Sequence, residues 1–233
     1  MQSEDRPIHF SSELIHAPRK HALPSLQKLY YELSQTKHAN YLSSDFSPSG
    51  PPRFFSKRGR KTQSAAAFLP DRVLVLEEWV DIPFAQFLDR LDTVAEHASR
   101  GLGIAPFVAH AVTVRTTFAL THFSDARVFV FEQMCGLEGK LGPCLGRPIA
   151  VGGLRLVMPE TPEQRGTLHA TIESYRFSQN EVFVEVKGVF AHHPIAADAL
   201  HELRENCVLV RDFISGNIRP FLDQFDVRVE DAH

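Results

Sequence analysis

Three cysteines and twelve histidines are the residues in this chain most able to do chemistry. Two of them, Cys135 and Cys144, bracket the stretch CGLEGKLGPC. A structural zinc site needs about four ligands, usually in close pairs separated by two to four residues. Cys135 and Cys144 are farther apart than that, and Cys207 falls in an apolar stripe with helical spacing. His110, His122, His169, His192 and His193 could serve only if the fold gathered them, so no metal site is expected. There is no CxxC redox pair. The glycines at 136, 139 and 142 do not make a phosphate loop, because Lys140 is followed by Leu141 where a Ser or Thr would be needed. A GxGxxG fingerprint is also absent, and no cofactor is expected. The stretch reads as a glycine-rich connection able to turn tightly.

A nucleophilic site would have to be assembled across the chain. Its parts would be Cys135 or Cys144 as nucleophile, His192 or His193 as base, and Glu132 as the group that orients the base. Neither GxSxG nor HExxH is present. His192 and His193 precede Pro194 at a junction of strand and helix, where a structural pair is the simpler role. Glu77 and Glu78 are adjacent, so on a strand they point to opposite faces and cannot form an acid–base pair. Protection of an edge strand is the role expected for them. Arg115, Arg155 and Arg176 lie among extended apolar segments. On strands lining a groove, their guanidiniums would be the polar anchors for a carboxylate or phosphate.

Those side chains need elements to hold them. PIHFSSELI, Pro7 to Ile15, reads as a strand. A helix follows from Pro24, with Leu26, Leu29, Tyr30 and Leu33 on one face and Ser25 as a cap near its start. The basic run Arg53 to Lys61 sits in a Pro-, Gly- and Ser-rich loop or hairpin. Two strands flank a turn at Pro70 and Asp71. DIPFAQFLDRLDTVAEHASRGLG is the clearest helix, with Asp81 as cap, Pro83 in the first turn and Gly101 past its end. PFVAHAVTVRTTFAL is a long strand. Asp125 caps a short helix, although VFVF is ambiguous. Gly152 and Gly153 interrupt a strand, as a bulge or a close backbone approach would. GTLHATIESYRF and NEVFVEVKGVF form a hairpin turning at Ser178 to Asn180. A final helix is expected from about Pro194, with Asp198 at or near its first turn. The tail DVRVEDAH reads as a polar, frayed end.

The fold class expected is α+β: antiparallel sheet with amphipathic helices on one face. The chain divides into two α+β halves, 1–122 and 123–233, packed closely as one unit and open to being structurally similar. PRFFSKRG, AFLPDRVLVLEEWV, RPIAVGGLRLVMP and NIRPFLD (217–223) resemble segments of a sporadically distributed bacterial family of uncharacterised proteins. The resemblance implies a stand-alone bacterial α+β protein and carries no activity, cofactor or catalytic residue.

Composition narrows the function. The 18 phenylalanines, against 4 Tyr and 1 Trp, supply apolar area without hydrogen-bonding demands, which is core material first. A formal charge of -3 argues against a nucleic-acid partner, leaving the basic 53–61 segment as its only local support. The start MQSEDRPIHF does not read as a signal peptide, no apolar stretch is long enough to span a membrane, and three cysteines give no disulfide framework. A cytoplasmic, reduced chain is expected. The leading function is a non-enzymatic binding or interaction protein, offering a sheet surface or Phe-lined pocket to a protein partner, a second copy or a small ligand. The alternatives are the Cys/His enzyme and nucleic-acid binding.

Overall fold

Alternating apolar residues give this chain its strands, and the register of those strands gathers the buried apolar residues on one side. The computed structural model describes residues 5–137 and 140–227. In chain order the first half contains β1 (Arg6–His16), α1 (Leu23–Ser34), β2 (Ser43–Asp45), β3 (Arg53–Arg58), β4 (Thr62–Phe68), β5 (Arg72–Glu78) and α2 (Phe84–Leu102). The second contains β6 (Phe107–Ala119), α3 (Ala126–Val128, continuing as a π-helical turn over Phe129–Met134), α4 (Leu141–Leu145), β7 (Gly153–Met158), β8 (Thr167–Ser174), β9 (Glu181–Phe190) and α5 (His201–Phe213). A second π-helical turn, Ile214–Ile218, joins α5 to α6 (Arg219–Asp223).

All nine strands belong to one antiparallel sheet in the order β2-β3-β4-β5-β1-β6-β9-β8-β7. Each half repeats one plan. A leading strand is followed by a helical connection, then a meander whose last strand returns to pair with the leading strand, then a long helix. The leading strands β1 and β6 pair with each other and join the halves. The topological repeat therefore begins at β6, and the division at 122/123 falls after that strand.

Phe10, Ser12 and Leu14 of β1 face the helices, with Val73, Val75 and Glu77 of β5 beside them. Phe10 packs against Phe84 and Phe87 of α2, with ring centroids 5.1 and 5.5 Å apart. In the second half Ile172 of β8 pairs with Val184 of β9, and both are fully buried. Burying each such large apolar side chain contributes roughly 1.5–3 kcal/mol. Helices and core thus occupy one face of an antiparallel sheet, as the α+β reading holds.

Two polar clusters are sealed in this layer. Glu77 is fully buried between sheet and α2, where it accepts from Arg90, from Ser64 Oγ at 2.7 Å and from Arg58 Nη2 at 3.1 Å. His110 of β6 is held between Ser12 Oγ of β1 (2.7 Å) and Asn206 Nδ2 of α5 (3.0 Å), all three buried. Burial pushes the His110 imidazole down to about 3, so it is neutral at physiological pH.

Several local expectations need correction. β5 lies between β4 and β1, so Glu77 and Glu78 do not guard an edge: Glu77 is a core ion pair and Glu78 faces the other side. Ser25 lies inside the first turn of α1, whose N-cap is Ala22 without a side-chain bond. α2 is preceded by Pro83 and ends at Gly103, φ 60°, beyond Gly101. Asp81 is instead engaged by Arg58 at 2.7 Å. The last helix begins at His201, because the segment before it first forms a bridge from Ile195 to Phe107. Asp125 does cap α3, accepting from the Arg127 N–H at 2.9 Å.

Candidate functional site

The face away from the helices belongs to the odd residues of β1. Following the register across the sheet, one row on this face runs Lys57, Gln63, Glu78, His9, Arg115, Glu185, Thr171, Arg155. Four of its charged groups are paired across strands. His9 Nδ1 lies 3.0 Å from Glu78 Oε1, and Arg115 Nε donates to Glu185 Oε2 at 2.6 Å. The hydrogen bond from His9 holds the Glu78 carboxyl below the usual range, the pull outweighing burial. The neighbouring Glu13 accepts from Arg72 at 2.6 Å and lies 3.5 Å from Lys187 Nζ.

At one end of these pairs an open cleft of about 400 Å³ is lined by Trp79, Tyr175, Phe177 and Phe183, with His9, Glu78, Arg115, Glu173, Arg176 and Glu185 among its polar residues. Trp79 follows β5 with a left-handed backbone, φ 51°, and its N–H donates to the Ile8 carbonyl at 2.8 Å. A non-glycine residue in that region costs about 1–2 kcal/mol, and the contact with the start of β1 holds it there. Tyr175 and Phe183 stack at 6.2 Å between centroids. Phe177 meets Tyr175 edge-on at 5.4 Å and lies 6.4 Å from Trp79. Phe177 is 64% exposed, although it belongs to an aromatic cluster. Cations rest on the outer rings: Lys61 Nζ is 4.5 Å from the Trp79 centroid, and the Arg176 guanidinium is 4.4 Å from Phe177.

The two remaining charges of the cleft differ from the paired row. Burial, and then the nearby Glu185 charge, raise the Glu173 carboxyl above its ordinary value, with Arg176 opposing. Neither Glu173 nor Arg176 makes an ion pair or side-chain hydrogen bond among the described residues. A second depression of about 600 Å³ shares His9, Glu78, Arg115 and Glu185 and continues over Ser11, Leu74, Leu76 and Thr113 toward Arg72. The groups this cleft offers are an aromatic patch, a guanidinium and a carboxyl without ion pairs among the described residues, and a floor of ion pairs, an arrangement consistent with a binding surface.

Of the three arginines expected to act together, Arg115 and Arg176 line the same cleft. Arg155 shares the row of Arg115 but stands on β7, three strands away. That is roughly 14 Å at about 4.8 Å per strand, too far for one small group to bridge. Cys135 is half-buried at the end of the π-helical turn, Cys144 is exposed in α4, and Glu132 is exposed. Glu138 and Gly139 of the glycine-rich stretch lie outside the described residues, as does 228–233 of the tail. His192 is exposed, and His193 Nε2 contacts Glu160, a partner that no sequence spacing singled out. No hydrogen bond among the described residues joins either cysteine to either histidine. No group of three or more His, Cys, Asp or Glu among the described residues is placed to hold a metal ion. No described helix is long and apolar enough to cross a membrane. In the basic segment, Arg53 pairs with Asp45 and Arg58 with Asp81 and Glu77, so two of its cations are already engaged.

Trp79, Tyr175, Phe177 and Phe183 are the site residues that spacing did not pick out. Trp79 and Phe177 lie 98 positions apart, and only the β5-β1-β6-β9-β8 order brings them together. No protein-family model matches the chain, and no curated protein is significantly similar to it.

Proposed function

We propose that the protein binds a small organic ligand on the open face of its sheet. The ligand's flat apolar part rests on Trp79, Tyr175, Phe177 and Phe183, and an acidic group on it pairs with Arg176. The observation that carries this reading is the aromatic cluster lining the cleft, its Phe177 exposed and its Trp79 and Phe183 half-buried, beside a guanidinium with no ion-pair partner among the described residues. A single exposed ring is ordinary, but one that joins three further aromatic rings lining a cleft with convergent polar groups fits a binding site. Arg115 contributes by exchanging its bond to Glu185 for one to the ligand. The two halves act as one unit here, since Trp79 comes from the first and Tyr175, Phe177 and Phe183 from the second.

The chain's only tryptophan sits in this cleft, so its fluorescence reports on the proposed site. A titration would compare aromatic carboxylates with their neutral amides and with matched amines. A saturable change with the carboxylates, weakened about tenfold by Phe177→Ala or Arg176→Ala, is the expected result; that factor corresponds to about 1.4 kcal/mol. Tighter binding of the amines would overturn the acidic preference in favour of Glu173 as the anchor. A Trp79 signal unmoved by all three classes would overturn the reading.

A further inference from the structure

The two edges of the sheet are built differently. β2 is three residues long, and its Asp45 is paired with Arg53 of β3. Short, charged edges of this kind resist pairing with another chain. β7 at the opposite edge is six residues, GLRLVM, with neither proline nor lysine within it. It pairs with β8 on one side and, among the described residues, with no strand on the other. Leu156 is 40% exposed and Val157 54% exposed, on opposite faces of this strand. Val128, Leu145 and Val151 are also exposed in the segments that lead to it. Phe131 packs over Gly152 immediately before the strand, which places the α3 connection next to this edge.

We infer that β7 is a homodimer interface, pairing antiparallel with β7 of a second copy about a two-fold axis through Leu156. The sequence of the strand suits a second copy in one register. A two-fold axis perpendicular to the sheet keeps like faces together and pairs residues symmetrically about one position. Centred on Leu156, Leu154 meets the partner's Met158, Leu156 meets the partner's Leu156, and Arg155 meets the partner's Val157. The helix-facing row becomes continuously apolar, and Pro159, which has no N–H to donate, falls opposite the partner's Gly153 at the end of the ladder. Centred on Arg155, two guanidiniums would oppose each other directly, which is destabilising. A register that opposes Arg155 to the partner's Leu156 would need one sheet turned over, setting the apolar row against the charged one, and a two-fold axis perpendicular to the sheet does not allow it. An axis on Leu154 or Val157 would overlap only three residues of each strand, against five for Leu156. Ladder length, like-charge repulsion and face matching together therefore favour the Leu156 register.

Light scattering after size exclusion, over a dilution series of the full chain, tests this directly. The expected species is a dimer of about 52 kDa, twice the 26.2 kDa of one chain. Val157→Lys sets a lysine against the partner's Arg155 and is expected to weaken association at least tenfold. Val157→Glu sets a carboxylate there and is expected to retain or tighten the dimer. A monomer at every concentration would overturn the inference, and so would a dimer equally indifferent to both substitutions. The register has its own test in a background with Cys135 and Cys144 changed to Ser. Leu156→Cys should form an intermolecular disulfide under mild oxidation, because directly opposed Cα atoms lie within disulfide range. Arg155→Cys alone should not. Cross-linking by the second and not the first would overturn the register.

Discussion

Removing one member of the Glu77–Arg90 pair should be far worse than removing both. Glu77 is fully buried and Arg90 nearly so. Glu77→Ala strands a guanidinium in the core and should cost about 3–5 kcal/mol in urea unfolding. The double variant Glu77→Met, Arg90→Leu should recover most of that loss, which a double-mutant cycle would read. His110 makes a separate statement about acid. Its folded value, about 3, lies below the ordinary 6.5, so the unfolded chain binds a proton that the folded chain does not. Stability therefore falls as pH drops below about 6.5 and continues to fall until about 3. By pH 5 the loss is on the order of 2 kcal/mol. His110→Gln should reduce this acid slope even where it lowers stability overall, as unfolding midpoints between pH 7 and 5 would show. At this scale the sequence was least informative. Adjacency fixed the opposite facing of Glu77 and Glu78, but not their partners, because Arg90 and His9 reach them across the tertiary fold. His110, Ser12 and Asn206 likewise meet only after β1, β6 and α5 have packed.

Elements were more legible, since their cause is local. The apolar stripe of α2 and the alternation of β6, β8 and β9 survive intact in the fold, because burial acts on the same periodicities that the residues display. Ends were harder to place. Gly101 and Gly103 are equivalent as letters, and the structure uses Gly103, with φ 60° and its carbonyl accepting from Arg19 Nη1 at 2.5 Å. Gly103→Ala should cost about 1–2 kcal/mol through the left-handed backbone, measured as a fall in the urea midpoint. The close approach expected near Gly152 and Gly153 has a specific form at Gly153. A methyl group there would lie 2.0 Å from the Ile172 carbonyl oxygen of β8. Gly153→Ala should therefore displace the start of β7, seen as faster amide exchange in β7 and β8 beyond any global loss of stability. Helical periodicity set the final helix too early, because residues after Pro194 first serve the bridge between Ile195 and Phe107.

For the whole molecule, the paired leading strands make the two halves mechanically one sheet. Unfolding followed by Trp79 fluorescence in the first half and by labelling of the buried Cys207 thiol in the second should give coincident transitions. Separated midpoints would mean that the halves unfold independently. The α+β class and the placement of helices were legible because hydrophobic patterning determines them. The cleft was not, because it depends on strand order, which no local pattern encodes. That order also bears on how the chain is made. β1 emerges early, yet one of its two edges stays open until β6 has been synthesised, and the far edge of β6 waits for β9, more than sixty residues later. The middle of the sheet is thus completed last, by pairings of long sequence separation, which slow folding and leave sticky backbone exposed meanwhile. A nascent chain stalled after β6 would present its seam to any neighbour on the same message, so the strand that unites the finished protein is also the one that a growing chain most needs shielded.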